Sequence, residues 1–268
     1  MTALGRCSTV LCARSVALGI CTLASTFSYA QTTEQIFDAG QERQAIYPVY
    51  DGFARNDDGS LTLSFAYFSH NAAPVAIPLG TENAFSPGPL DRGQPTIFLP
   101  GHHRWQCVMV VDPDFDGHLR WMLSHAGATW RTSDAMLQYN WEFSDRDLPQ
   151  VLRDIEDATA VPRNICLNRS PLVRVLGYGG SRGPHALQVQ SGSPLKLFGS
   201  VRDEGLPRDG VLRSMWKAVT GPGTVRFDDS TNPRTLAFFK EPGEYTLELS
   251  ATDSTLRSST EVTVIVSP

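Results

Sequence analysis

The fold is decided by three stretches near the end of the chain: residues 193–207 (SPLKLFGSVRDEGLP), 214–227 (SMWKAVTGPGTVRF) and 241–253 (EPGEYTLELSATD). Each is typical of a short strand bounded by Gly, Pro or Asp. In the third stretch, Tyr245 and Leu247 alternate with Thr246 and Glu248, so one face of the strand turns inward and the other to water. The pattern predicts an antiparallel β-sandwich of the kind common in extracellular modules.

Residues 186–268 resemble the PKD family, and the resemblance is carried by three groups of residues. These are Leu197, Gly199 and Asp203 (L-x-G-x-x-x-D), Trp216 with Gly221-Pro222-Gly223 (W-x-x-x-x-G-P), and Pro242-Gly243-Glu244-Tyr245 with Thr252-Asp253. The resemblance implies a seven-stranded Ig-like sandwich that usually spaces or contacts other molecules and is not itself catalytic. We expect Trp216 to fill the space between its two sheets.

An earlier unit, residues 46–143, carries a second set of strand patterns. Leu61, Leu63, Phe65 and Tyr67 alternate with smaller or polar residues, and further strands are predicted at QPTIFL, WQCVMVV, LRWMLS and MLQYNWEF. Segments such as GSLTLSFAYFSHN resemble uncharacterised exported bacterial proteins, which implies bacterial export and no known activity. We therefore predict an all-β chain with two Ig-like antiparallel sandwiches.

A connector is predicted between the two sandwiches, at residues 144–185. Leu148, Leu152 and Ile155 have the spacing of one short helix, and the glycines from Gly177 to Gly183 mark a linker. The predicted organisation is a signal peptide at 1–30, a flexible segment at 31–45, a sandwich at 46–143, the connector, and the PKD-like sandwich at 186–268.

The amino terminus has the features of a secretory signal peptide. Arg6 and Arg14 occur without any acid, an apolar run follows at 15–25, and Ser28-Tyr29-Ala30 offers a cleavage site after Ala30. A retained anchor is the alternative, although the run is about half the roughly 20 residues that span a bilayer. We expect export to the periplasm or beyond, with no membrane span after cleavage. The net charge of −5 and the lack of a basic run argue against a nucleic-acid partner.

Cysteine usage agrees with export. Cys7, Cys12 and Cys21 leave with the signal, and Cys107 and Cys166 remain as a pair in an oxidising compartment, which predicts a disulfide. Two buried thiols are the alternative.

The sequence contains two candidate metal sites. The first residues of a calcium-binding loop are matched by Asp112, Asp114 and Asp116. The twelfth position of such a loop carries an acid that binds the ion with both oxygens, but here it is Leu123, so a plain turn is the alternative. The pair His102-His103 suggests a transition metal, yet adjacent strand residues point to opposite faces. We expect no cofactor, with calcium at Asp112, Asp114 and Asp116 as the open possibility.

Tryptophans supply the remaining candidate site. We expect Trp121 and Trp141 to belong to the core by their alternation, whereas Trp130, beside Arg131, and Trp105, beside Arg104, are predicted to face water and bind a ligand.

The sequence contains no nucleophile elbow or complete catalytic motif. We therefore expect a non-catalytic binding, adhesion or spacer protein of the bacterial cell envelope, with a glycan or protein partner. A structural or assembly subunit of an envelope complex is the alternative. A secreted hydrolase using two carboxylates, or an accessory protein of one, is the second alternative.

Overall fold

The computed structural model describes residues 44–133, 136–179 and 185–268. The predicted signal peptide and nearly all of the predicted flexible segment lie outside the described residues. Residues from Gly40 onward form one compact unit. In the described part of the chain, no helix is long and apolar enough to cross a membrane.

Within the residues that the structure describes, strands are the dominant secondary structure, and one short helix and one 3-10 turn (Tyr139–Trp141) accompany them. The helix is α1 (Leu148–Val151), and the strands are β1 (Ile46–Arg55), β2 (Leu61–Ser69), β3 (Val75–Ala76), β4 (Asn83–Ser86), β5 (Ile97–Phe98), β6 (Gly101–Val111), β7 (Arg120–His125), β8 (Ala128–Arg131), β9 (Leu172–Val175), β10 (Leu187–Gln190), β11 (Pro194–Arg202), β12 (Arg213–Thr220), β13 (Val225–Phe227), β14 (Arg234–Phe239), β15 (Gly243–Thr252) and β16 (Arg257–Ser267).

The first sandwich packs the sheet β1-β2-β6 and the sheet β4-β7-β8 around one aromatic core, with the small pair β3-β5 beside them. Trp121 is completely buried, lies parallel to Phe85 at 5.9 Å between ring centroids, and donates its indole N–H to Asn83 Oδ1 at 2.9 Å. The prediction that Trp121 is a core residue is confirmed.

The second sandwich has two four-stranded sheets, β10-β16-β15-β12 and β13-β14-β11-β9. Trp216 is buried between them as expected, and its indole donates to the carbonyl of Pro233 at 3.0 Å. A Cβ on Gly221 would lie 2.1 Å from the Tyr245 ring, which explains why the turn after β12 needs glycine there. The predicted all-β fold with two antiparallel sandwiches is confirmed, and among the described strands the pair β10 and β16 is parallel.

The connector differs from its prediction in two ways. The helix stops after one turn because Asp154 has a left-handed backbone with φ of 68°, so Ile155 is not helical. Leu172–Val175 then pairs with Gly199–Arg202 of β11, which makes part of the predicted linker a strand of the second sandwich. Gly177 and Gly179 have positive φ, and residues 180–184 of the linker lie outside the described residues.

The predicted strand at MLQYNWEF does not form. Leu137 and Tyr139 are exposed, the latter by 90%, while Trp141 and Phe143 lie against β1 at Gly52, where the absence of a side chain lets the segment pass. Trp141 packs on the core with its ring tilted by 57° to that of Tyr50 and ring centroids 5.5 Å apart. The alternation of aromatic residues therefore belongs to a 3-10 turn and an irregular segment that bonds to the edge of β1 at Phe53, and not to a strand.

Candidate binding surface

Arg104 and Trp105 lie on a bulge of β6. Register with β2 shifts here, because Phe65 pairs with Cys107 but Tyr67 pairs with His103. Trp105 has φ of 58°, an uncommon value for a residue with a side chain, and its indole nitrogen is buried without a hydrogen-bond partner. The prediction that Trp105 faces water needs correction, because its ring is half-buried.

Asp51 fixes this bulge. It sits at a bulge of β1 and accepts hydrogen bonds from Arg104 Nε at 3.0 Å and from the Trp105 backbone N–H at 2.9 Å. Burial raises the pKa of Asp51 despite both bonds. The Arg104 guanidinium lies 4.7 Å from the centre of the Trp105 ring, a cation–π contact. Arg104 is thereby held at the surface in a fixed orientation.

A cleft of about 270 Å³ opens beside the bulge, between the two sandwiches; we call it the junction cleft. Its walls come from residues 102–106 of β6, from Gln150, Arg153 and Arg169 of the connector, and from residues 202–204 at the end of β11. Four arginines and two histidines therefore line one cavity. No linear motif contains them, since β6, the connector and β11 are distant in sequence.

The arginines of the junction cleft differ in their partners. Arg104 pairs with Asp51 and Asp147, and Arg153 pairs with Asp154. Arg169 is 3% exposed and donates to the carbonyl groups of residues 150 and 153, but its Nε has no partner. Arg202 is exposed and makes no ion pair or side-chain hydrogen bond with the described residues.

Two adjacent acids, Asp203 and Glu204, also line the junction cleft. Burial raises the pKa of Glu204 to about 8, and the charge of Asp203 adds to this. Glu204 accepts a hydrogen bond from the Arg169 backbone N–H at 2.5 Å. Burial likewise raises the pKa of Asp203 to about 6, with Asp253 contributing. Glu204 is therefore largely uncharged at neutral pH, so that Asp203 is the charged acid that faces Arg169 and Arg202 in the cleft.

Trp130 and Arg131 lie on β8 and not in the polar turn that their sequence predicts. Trp130 is half-buried and its ring packs at 5.3 Å on that of Tyr47, which is 40% exposed. Arg131 is exposed. Trp130 therefore faces water only in part, because Tyr47 of β1 covers part of its ring.

Tyr47 begins a row of rings on the outer face of the first sandwich. Tyr47, Phe68 and His102 are register partners across β1, β2 and β6 and so share one face. His70 bridges the first two, with ring centroids 5.5 Å from Tyr47 and 4.6 Å from Phe68; Phe68 lies 6.1 Å from His102. We call these three together with His70 and Trp130 the aromatic strip.

The aromatic strip ends where the junction cleft begins, because His102 belongs to both. The structure therefore does not bring Trp130 and Trp105 into one cluster. Instead, the aromatic strip runs from Trp130 to His102, and His102 lines the same cleft as Trp105. Sequence reasoning missed Tyr47, Phe68 and His70, although the exposed side of the alternation in β1 could have identified Tyr47. Among the arginines of the cleft, Arg104 was predicted as a neighbour of Trp105, whereas Arg153, Arg169 and Arg202 carried no such signal.

The candidate calcium residues Asp112, Asp114 and Asp116 form a turn between β6 and β7. The Phe115 N–H donates to the Asp112 carbonyl at 3.1 Å, and Asp112 Oδ2 accepts from the Asn164 side chain at 3.3 Å. Across residues 44–133, 136–179 and 185–268, no group of three or more His, Cys, Asp or Glu side chains is arranged to hold a metal ion.

Cys107 and Cys166 are joined by a disulfide, with Cα atoms 4.8 Å apart, so this prediction is confirmed. Both cysteines are buried in the first core. The bond fastens the connector to β6 immediately after the bulge that carries Arg104 and Trp105. It therefore helps to fix one wall of the junction cleft against another.

No family model matches the chain. Structures to which it is similar include the PKD domain (329–428) of human KIAA0319, at 17% identity over 34% of this chain and 93% of that one, with a TM-score of 0.24. A titin fragment matches at 10% identity over 84% and 98%, with a TM-score of 0.27. The three N-terminal domains of the bacteriophage RB49 outer capsid protein Hoc match at 11% identity over 84% and 59%, with a TM-score of 0.24. The PKD similarity extends over about a third of the chain.

Proposed function

We propose that this chain is an exported, non-catalytic binding protein of the bacterial cell envelope and that its ligand is a glycan held along the aromatic strip. In this proposal the C-terminal unit is a PKD-like module that positions the binding surface. Export is supported by the signal-like amino terminus and by the buried disulfide, a bond that persists in oxidising compartments.

The single observation that carries the proposal is the row of five neighbouring rings from Trp130 to His102, of which Tyr47, Phe68 and His102 share one face of the sheet β1-β2-β6. Flat aromatic faces stack on the apolar faces of sugar rings, and imidazole N–H groups can donate to hydroxyl groups. A row of rings, as opposed to a closed pocket, suits a chain of several sugars. The rings are fixed by β-strands, which limits the entropy that binding would cost.

A glycan-binding assay on the mature protein tests this proposal. Arrayed oligosaccharides identify a ligand, and titration calorimetry then compares wild type with Tyr47→Ala. Removing this exposed ring should cost about 2 kcal/mol of binding free energy or more. Tyr139→Ala is the matched control, since Tyr139 is 90% exposed and lies outside the aromatic strip. Equal losses in both variants, or no glycan binding by the wild type, would contradict the proposal.

One observation favours a hydrolase as the second candidate. Asp203 and Glu204 have raised pKa values and line a cleft, a setting in which carboxyl groups act as general acids. However, Glu204 is 6% exposed and already accepts a backbone hydrogen bond, which suits a structural role. Turnover of a bound oligosaccharide that disappears in Asp203→Asn would support the hydrolase over the binding protein.

A further inference from the structure

The junction cleft has a charge pattern that the aromatic strip does not explain. Of its four arginines, Arg104 and Arg153 are neutralised by acids within 3.5 Å. Arg202 has no such partner among the described residues, and Arg169 keeps a buried Nε that bonds to nothing. Buried polar groups almost always have a partner, so the enclosed, unpaired Nε of Arg169 is unusual. Arg202 lines the same cleft and is exposed, so its guanidinium is the group that can meet an acceptor from solvent.

From this we infer that the junction cleft binds an acidic group of the ligand, a carboxylate or a sulfate ester carried by an acidic polysaccharide. The inference rests on the proposed function, because the aromatic strip leads the sugar chain to His102 and so to the cleft. Guanidinium groups bind planar carboxylates and sulfates through two parallel N–H donors, which makes arginine the suitable residue.

The neighbouring groups set the sign of the charge in the cleft. Glu204 is protonated over most of the neutral range, and its carboxyl is committed to the Arg169 backbone. The pKa of His103 lies below its ordinary value because of burial, with Arg202 and His102 adding to the effect. Asp203 is then the acid that opposes an anion, since it lines the same cleft and its pKa of about 6 leaves it charged at neutral pH. Removing its charge should therefore strengthen anion binding.

The test uses the full mature chain and three probes: an oligogalacturonate, the same oligomer as its methyl ester, and inorganic sulfate. Titration calorimetry on wild type, Arg202→Gln, Arg202→Lys and Asp203→Asn is compared with Arg234→Gln, an exposed arginine outside the cleft. Circular dichroism checks that each variant is folded.

We expect the acid to bind wild type about tenfold more tightly than its methyl ester, with the difference shrinking as salt is added. Arg202→Gln should remove the preference for the acid over its ester without lowering the affinity for the ester. Arg202→Lys should restore much of that preference, and Asp203→Asn should increase it. Arg234→Gln should change nothing. Sulfate should compete with the acid and not with the ester.

Equal binding of acid and ester, or an Arg202→Gln variant that keeps the preference, overturns the acidic-group inference while the glycan proposal stands. If neither oligomer nor any arrayed glycan binds, the glycan proposal fails, and the inference fails with it. If sulfate binds wild type and Arg202→Gln equally, the cleft does not use Arg202 and the inference is overturned.

Discussion

Arg208 of the second sandwich forms a two-pronged ion pair with Asp91 of the first, with Nη2 to Oδ1 at 2.5 Å and Nη1 to Oδ2 at 3.1 Å. Its Nε donates in addition to the carbonyl of Gln94. Two residues earlier, Leu206 is 5% exposed and packs in the core of the first sandwich. The loop after β11 therefore joins the two sandwiches by charge and by apolar burial together.

Of these two links, Leu206 should contribute more to stability. Truncating a buried leucine to alanine costs about 2–5 kcal/mol, whereas a partly exposed ion pair contributes about 1 kcal/mol or less. We expect Leu206→Ala to lower the free energy of unfolding, measured in urea, by about 2 kcal/mol or more. Leu176→Ala, at an exposed leucine, is the control and should change it little. A small effect of Leu206→Ala would mean that the loop docks weakly.

A fragment that begins at residue 184 should fold poorly. It lacks β9, so residues Gly199–Arg202 of β11 lose their pairing partner and become an open edge. A fragment beginning at residue 171 keeps β9 and is the matched comparison. We expect the longer fragment alone to show dispersed amide resonances in an NMR spectrum. Equal dispersion in both would show that β9 is dispensable and would favour the boundary at residue 186.

The disulfide should stabilise the chain substantially. It closes a loop between residues 59 positions apart, which the chain-entropy model values at about 4 kcal/mol. We expect the double variant Cys107→Ala/Cys166→Ala to unfold at a much lower urea concentration than wild type. The double variant should not respond to a reducing agent, whereas the wild type should. A wild type whose urea midpoint is unaffected by reductant would contradict this prediction.

Alternation of apolar residues predicted most of the fold because each sandwich strand has one face in the core. The strands of the second sandwich and the burial of Trp216 follow from that pattern. The pattern failed at Tyr139, where aromatic residues alternate in a 3-10 turn and the irregular segment that follows it along the edge of β1. Alternation reports burial only where the segment is a strand, and it cannot tell a strand from an irregular segment of the same composition.

The candidate site was less predictable. Arg104 and Trp105 were found because they stand beside each other in the sequence, but their exposure was misjudged, since Asp51 of another strand holds them in a bulge. Arg169 and Arg202 meet only through the tertiary structure. Contacts of this kind depend on sheet register and loop docking, which a single sequence does not display.

Two tryptophans should respond differently to truncation. Trp121 is completely buried and hydrogen-bonded, so Trp121→Ala should cost about 3–5 kcal/mol. Trp130 is half-buried on Tyr47, so Trp130→Ala should cost about half of that or less. Thermal melts followed by circular dichroism would separate the two. If Trp130→Ala melts as low as Trp121→Ala, Trp130 is a core residue and the aromatic strip loses one end.

The stability of the protein should fall as the pH rises from 6.5 to 8.5. Glu204 has a pKa of about 8 in the folded protein against an ordinary value of 4.5, because burial disfavours its charged form. Between these values the folded chain binds more protons than the unfolded chain, so raising the pH favours unfolding. The raised pKa of Asp203 also makes stability fall with rising pH, but only up to about pH 6. His103, with a lowered pKa, acts in the opposite direction below about pH 6.5, which is why the measurement starts there.

Glu204→Gln should abolish this decline, since the amide oxygen can still accept the Arg169 backbone hydrogen bond but carries no titrating proton. Wild type should lose about 2 kcal/mol between pH 6.5 and 8.5, equivalent to a fall of about 4–8 °C in the melting temperature. The lowered pKa of Arg169, about 10, lies above this range and leaves the comparison undisturbed. Glu244→Gln, at an exposed glutamate on β15, is the control and should keep the wild-type slope. A Glu204→Gln variant that declines as steeply as wild type would show that another group sets the pH dependence and that Glu204 is already ionised in the folded protein.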